Sequence, residues 1–481
     1  MHCDRVGTLL APLLLALVVL HAHADDHKPN VLFIAVDDLN DWIGCLGGHP
    51  QAQTPNIDRL AEQGVLFTNA HCQTPICNPS RVSLMTGTRP STTGIYLLSP
   101  TDFRKACPLL ADAQSTPTIP EHFAQNGYVT LGAGKIYHGN TSRETFQEYG
   151  PRALSGPFPQ QKLNYPRGVK LWDWGRFPER DDQQGDVAIA DWTVSKLKAS
   201  YEKPFFLAAG FFRPHVPLYA PAKWWDLYGE TSAIRLPPSL ESDHNDIGDF
   251  ARKLTWSGLA PRHDWMLKHK QWQNTVHAYL ACVSFVDHQI GRVLDALENS
   301  VYADNTVVVL WSDHGWALGE KQRWAKRSLW ERSTRVPLII AGPGITGSRR
   351  CDQPAGLIDI YPTLCDLCGL SQPKQLEGHS LTAQLQDVTT QRSPVVTTFY
   401  RNNHAVRSQH WRYIRYSDGS EELYDHRNDP HEWRNLVARP DHRPAIMEHA
   451  EFLPDANVEA ARGSSGLGVR NEDRDLFDGF R

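Results

Sequence analysis

The residues with the most chemical content lie in a few short runs. Cys77-Asn78-Pro79-Ser80-Arg81 sets a thiol one turn before a guanidinium. Asp37-Asp38 and Asp313-His314 are acidic pairs far apart in the chain. Lys135 and His138, in Gly134-Lys-Ile-Tyr-His-Gly139, join His215 and Lys326 as a set of bases and cations. Three carboxylates suit a hard cation such as calcium or magnesium, and one imidazole is tolerated beside them. Proline favours the first helical turn, so Pro79 puts Cys77 at a helix N-terminus. Unpaired N–H groups and the positive end of the dipole stabilise an anion there. Taken singly, each basic residue reads as a surface charge or a packed histidine. The chemistry depends on whether the fold brings them together.

The elements that would do so are legible as periodicity. Pro29 to Val36 is a continuous apolar run, as expected of a strand buried on both faces, and it ends at Asp37-Asp38. Thr54-Pro55 opens a short helix through Leu60, and Pro79 to Met85 reads as another helix start. Thr118 to Gln125 is helical and leads into a strand, Tyr128 to Ala133, which stops at Lys135. A helix from Asp186 to Lys198 precedes a strand from Pro204 to Phe212, which runs out at His215. A long helix, Trp272 to Leu297, precedes a strand from Thr306 to Trp311, which ends at Asp313-His314. Val336 to Ala341 is a further strand, followed by a helix from Ile358 to Leu370. Alternation of this kind predicts an α/β fold, a mostly parallel sheet covered by helices on both faces. Ligands bind beyond the carboxyl ends of such strands. Four strands would therefore deliver Asp37, Asp38, Lys135, His215, Asp313 and His314 to one rim.

After residue 385 the pattern shifts to short strand-like pieces: Val395–Phe399, Ala405–Arg407, Trp411–Tyr416 and Glu422–Tyr424, with Asp418-Gly419 as a turn. This predicts a smaller, largely antiparallel unit over 386–481, beside a catalytic unit over 25–385. Gly463 to Gly466 reads as a flexible tail, and no internal repeat is evident. At the other end, Arg5, an apolar run from Leu9 to Leu20 and the small-x-small Ala22-His23-Ala24 read as a secretory signal over 1–24. The rival reading, a membrane anchor, needs a longer run. A secreted or periplasmic protein without an integral membrane segment is expected.

With 481 residues, 41% hydrophobic and 21% charged, the chain can build a sizeable core. A net charge of −5 argues against general nucleic-acid binding, so any anion must meet a local basic pocket. Eight cysteines remain after the leader, scattered at 45, 72, 77, 107, 282, 351, 365 and 368, too sparse for a disulfide scaffold. Cys365-x-x-Cys368 has no partner pair and reads as two half-buried helix cysteines or a local disulfide, rather than a redox or zinc motif.

Cys77-x-Pro79-Ser80-Arg81, continued by Met85-Thr86-Gly87, resembles the signature of the formylglycine-dependent (type I) sulfatases. The two acidic pairs occur in that family's order, and the resemblance covers nearly the whole mature chain. Lys135-x-x-His138, Pro214-His215-x-Pro217, Asp313 to Glu320 and Trp324-Ala325-Lys326 are similar to the iduronate-2-sulfatase group. Glu422 to Asp425 and Asp429-Pro430 also resemble that group's C-terminal region. The resemblance implies an alkaline-phosphatase-like fold. It implies oxidation of Cys77 to formylglycine during export, by a formylglycine-generating or anaerobic sulfatase-maturating enzyme. One calcium, or magnesium, would be held by Asp37, Asp38, residue 77, Asp313 and His314. Residue 77 would attack sulfur with help from Asp313, and His215 and Lys326 would protonate or stabilise the leaving alcohol. His138 would take a proton as sulfate leaves, and Lys135, Arg81 and the metal would hold the sulfate oxygens. The substrate implied is a sulfated carbohydrate, a sulfated uronic acid unit above all. Two departures stand out: Gly139 follows His138 where the group has proline, and His314 replaces an asparagine found in many relatives.

Trp316, Trp324, Arg213 and His404 are candidate subsite residues, with core packing as the alternative for both tryptophans. Two other classes compete. A phosphonate monoester or phosphodiester hydrolase of the same superfamily would share much of the machinery. A carbohydrate-binding homologue without activity would keep the fold and lose the chemistry.

Overall fold

The computed structural model describes residues 28–139, 142–152, 156–166, 171–256 and 258–464, so the leader and the end of the tail lie outside the described residues. Its main sheet has eight strands: β1 (Asn30–Val36), β2 (Gly64–Phe67), β3 (Val129–Gly134), β4 (Glu148–Tyr149), β5 (Phe205–Phe211), β6 (Thr306–Ser312), β7 (Leu338–Ala341) and β8 (Arg349–Cys351). They lie in the order β8-β2-β7-β6-β1-β5-β3-β4. β1 pairs in parallel with both β5 and β6, and β3 in parallel with β5 and β4. The strand read at Val336–Ala341 is β7, and it runs antiparallel to both β6 and β2. Between Ser312 and Leu338 the longest helix is Glu331–Thr334, so the chain returns beside β6 without the helical crossover that a parallel strand needs, and Leu338 pairs with Trp311 antiparallel.

Alternate residues of β1 feed the two faces. Leu32, Ile34 and Val36 join one core with the long helix, and Val31, Phe33 and Ala35 join the other. On the first face lie α1 (Pro55–Gln63), α4 (Gly185–Leu197) and α5 (Trp272–Glu298); on the second lie α2 (Cys77–Thr86), α3 (Ile119–Gln125) and α6 (Ile360–Leu367). That is why β1 reads as an unbroken apolar run: both of its faces are covered. All seven residues of β1, β5 and β6 are buried. Cys365 lies in α6 and Cys368 just after it; both are buried free thiols rather than half-exposed ones.

The later strands β9 (Val395–Thr398), β10 (His404–Arg407), β11 (Trp411–Arg415) and β12 (Glu421–Asp425) form an antiparallel sheet in sequential order. The turn at Asp418-Gly419 closes the last hairpin, with Gly419 at φ 87°, where a side chain would be strained. Among the described residues no helix is long and apolar enough to cross a membrane.

Candidate active site

α2 opens where the sequence placed it. Ile76 is extended and Cys77 is the first helical residue. Its thiol meets side chains from three other segments: His314 Nε2 at 3.2 Å, Lys326 Nζ at 2.9 Å and Asp38 Oδ1 at 4.0 Å. Burial pushes the thiol's pKa up, against the pull of Lys135 and Lys326.

Asp37, Asp38 and Asp313 lie fully buried with carboxylate oxygens within 4.8 Å of one another. Asp38 has φ 62°, an uncommon backbone for a residue with a side chain. The turn is held by its N–H to Asp313 Oδ1 (3.1 Å) and by Tyr279, whose hydroxyl donates to Asp38 O (2.8 Å) and accepts from Asn40 N (2.9 Å). Nδ1 of His314 lies 3.0 Å from Gly315 O, so that nitrogen carries the hydrogen. Its Nε2 lone pair then faces Asp38 Oδ1 at 3.3 Å and Asp313 Oδ2 at 3.5 Å. A lone pair aimed at two carboxylates is repulsive unless a cation lies among them. Asp38 Oδ2 is moreover buried without a hydrogen-bond partner. Asp37, Asp38, Asp313 and His314 therefore fit a hard divalent cation.

Arg81 is wholly buried beneath this cluster. Nε donates to Asp313 Oδ2 (2.8 Å) and Nη2 to Asp37 Oδ1 (3.1 Å), while Nη1 reaches the carbonyls of Lys135 and Ile136. Its face covers Trp311 at 5.5 Å. Its donors aim at these acceptors, so in this geometry it orients carboxylates. Burial opposes charge on Asp313, yet Arg81, His314, Lys135 and Lys326 outweigh it and hold that carboxyl well below the usual range. Asp38 lacks such a fork; burial, with Asp37 and Cys77 nearby, pushes it up to about 7 despite Lys326.

The strand ends deliver the bases. Gly134 (φ 78°) and Gly210 let β3 and β5 approach so closely that a Cβ on Gly134 would sit 2.0 Å from Gly210 O. Lys135 N then donates to Gly210 O (2.7 Å), and its ammonium pairs with Asp37. His215 donates from Nδ1 to Val216 O (2.6 Å), leaving Nε2 3.9 Å from Asp38 Oδ2. Burial, then Lys135 and Lys326, hold His215 well below its ordinary pKa. His138 is pushed down to about 3 by burial and the same cations, and its Nδ1 is buried without a partner. Both imidazoles are neutral and able to accept a proton. Lys326 Nζ bridges Asp38 Oδ1 (2.7 Å) and Cys77 Sγ, above Trp316 at 5.3 Å. Burial opposes its charge, but Asp38 and Cys77 raise its pKa.

The subsite candidates fare differently. Trp316 supports Lys326 from below, stacked on Trp172. Trp324 is buried, its Nε1 3.3 Å from His263. Arg213 is buried and braces the His215 loop, with Nη1 donating to His215 O (3.1 Å). His404 lies inside β10, its Nδ1 3.0 Å from the Thr398 hydroxyl. Sequence reasoning missed two supports. Ser80 donates to Asp313 O (2.5 Å), and its place inside the Cys77 motif was the available signal. Tyr279, mid-helix in α5, carried none.

The family model described as "Sulfatase" matches residues 29–370, and one described as "N-sulphoglucosamine sulphohydrolase, C-terminal" matches 319–458. A "Sulfatase" of Formosa agariphila is 42% identical, over 93% of this chain and 92% of that one. Human "Iduronate 2-sulfatase" is 33% identical, over 74% of this chain and 72% of its own. The solved structure of "a 2-O GAG sulfatase" superposes with TM-score 0.69 at 26% identity, covering 88% of this chain and 91% of that one.

Proposed function

The chain belongs to the sulfatase family and hydrolyses sulfate esters, and we propose that its substrate is a sulfated uronic acid unit of an oligo- or polysaccharide. The observation that carries the site assignment is the meeting of His314, Lys326 and Asp38 around the sulfur of Cys77. Oxidised to formylglycine by a maturating enzyme, residue 77 supplies a hydrated aldehyde as nucleophile toward sulfur. A calcium ion, with magnesium as the alternative, would be held by Asp37, Asp38, Asp313 and His314, with residue 77 beside it, and supplies positive charge for the sulfate oxygens.

The chain's own residues do the rest. Arg81 fixes Asp37 and Asp313 so that their carboxylates converge with that of Asp38. Lys135 and Lys326 carry charge to either side of residue 77 and favour a sulfate there. Lys326, which holds its proton, can supply the one the leaving oxygen needs, neutral His215 lies near it to stabilise the alcohol formed, and neutral His138 is poised to accept a proton as sulfate departs. The support for the uronic acid is the likeness to the iduronate 2-sulfatase and the 2-O GAG sulfatase, together with a cationic pocket in which a carboxylate beside the sulfate is tolerated. We place residues 25–385 in the catalytic unit and 386–481 in the smaller one, and take the protein to be exported behind its leader.

The test is twofold. Peptide mass spectrometry should find residue 77 as an aldehyde or its hydrate, and Cys77→Ser should abolish turnover with the melting temperature kept. On defined oligosaccharides, 2-O-sulfated uronic acid ends should exceed small aryl sulfates in kcat/KM, with interior units poor. A wide preference for neutral sulfated galactose or choline sulfate defeats the substrate reading alone; preference for phenylphosphonate would favour the phosphonate hydrolases.

A further inference from the structure

A second basic cleft lies away from Cys77, between the edge of the main sheet and the antiparallel sheet. It encloses about 310 Å³, the lower end of the size range of ligand sites. Arg332, Arg335, Arg407 and Arg427 line it, with His410 and His426. The acids that balance them are largely spoken for at its back. Glu331 accepts from Arg407 Nε (3.1 Å) and from buried Arg412, and Asp425 is gripped by Arg427. Asp41 takes Arg332 and, at 3.1 Å, Arg335. Asp352, at the exposed edge, accepts from Gln409 (2.9 Å).

After these bonds, Nη2 of Arg332, of Arg335 and of Arg407 has no hydrogen-bond partner among the described residues. Three guanidinium groups, each fixed by a carboxylate behind it, thus keep a donor apiece in one cavity. Fixed forks of this kind bind oxyanions well, because little side-chain freedom remains to be lost. The Glu331–Arg412–Glu432 network beside the cleft already has its cation in Arg412, which argues against a metal there.

We propose that this cleft is a second oxyanion site, taking a sulfate group either as the free ion or as an ester on a carbohydrate chain. The choice of sulfate rests on the sulfatase reading above; the existence of an anion site does not. Asp41 belongs to the same post-β1 turn as Asp37 and Asp38, so the cleft's arginines also brace the loop that carries the carboxylate cluster.

The test uses the full chain and a double rim variant, Arg427→Glu with His410→Glu, both at exposed positions. Isothermal titration with sodium sulfate at constant ionic strength should show one bound sulfate fewer than in the wild type, or that site weakened about tenfold. Arg335→Gln should weaken the same site by a similar factor; equal melting temperatures check the fold. Kinetics separate the two sources. For a chain-borne sulfate, KM for a sulfated tetrasaccharide rises in the double variant while kcat and KM for an aryl sulfate stay fixed. For free sulfate, only the titration changes. If number and affinity of bound sulfates are the same in all three proteins, the cleft is not an anion site. A loss of aryl sulfate turnover in the wild type would instead count against the sulfatase reading, leaving the titration result intact.

Discussion

Lys326 Nζ stands 2.9 Å from Cys77 Sγ and 2.7 Å from Asp38 Oδ1, bridging residue 77 and the carboxylate cluster. Its two chain neighbours, Ala325 at the end of a two-residue strand and Arg327, both have positive φ, at 73° and 81°. Such backbone costs about 1–3 kcal/mol per residue and persists where surrounding structure enforces it, often at functional sites.

Lys326→Ala should therefore act on the chemical step. Removing a donor that stabilises developing charge lowers kcat by about 10²–10³. KM should change much less, and Lys326→Arg should recover little because the longer fork cannot occupy the same point. Steady-state kinetics on an aryl sulfate, with the melting temperature as control, decide it; a kcat within threefold of wild type would remove Lys326 from the mechanism.

Cation removal forms the second expectation. Three buried carboxylates converge, and a ligand bound only by the folded state at 1,000 times its Kd adds about 4 kcal/mol of stability. Chelation should lower activity and melting temperature together, and calcium or magnesium should restore both. Full activity in a metal-free preparation, or stoichiometric zinc by elemental analysis, contradicts the assignment.

The rim residues were legible because chemistry follows topology. Asp37, Lys135 and Asp313 each directly follow a strand whose apolar run ends at the sheet boundary, so sequence periodicity located them. Lys326 was different: it sits in a loop after a two-residue strand, Trp324–Ala325, and only the family resemblance singled it out. The depth of Arg81 was hidden too. Spacing from Pro79 put it one turn along α2, but its complete burial depends on Trp311 and the Lys135 and Ile136 carbonyls, which come from remote segments. The antiparallel sense of β7 also escaped, since an apolar run does not report its direction.

Acid should weaken the fold through buried His404 and half-buried His244. Burial pushes His404 down to about 4, and burial with Arg323 does the same for His244. Unfolded, each would titrate near 6.5. As pH falls below 6.5 the unfolded chain gains protons that the folded chain refuses, so stability drops until about pH 4 and is flat above about 7. The limiting slope is about 1.4 kcal/mol per pH unit for each such histidine. Urea midpoints between pH 7.5 and 5 should fall accordingly, and His404→Gln should flatten the slope. An unchanged slope in that variant would show that His404 does not contribute.

Arg81→Lys is the sharpest test of what the buried guanidinium does. The arginine spans Asp313 Oδ2, Asp37 Oδ1 and two backbone carbonyls at once, a set that a single ammonium cannot reproduce. Charge is retained, but the acceptors left over lose their donors inside a dry site. Breaking a buried pair of this kind costs about 3–5 kcal/mol. Asp37 and Asp313 would also lose their fixed orientation, so the cation they hold should bind more weakly. The expected outcome is a lower melting temperature that excess calcium partly restores, with kcat reduced even at saturating metal because the carboxylates no longer converge in one geometry. A variant with wild-type stability and metal dependence, but with KM alone raised, would instead identify Arg81 as a direct sulfate ligand.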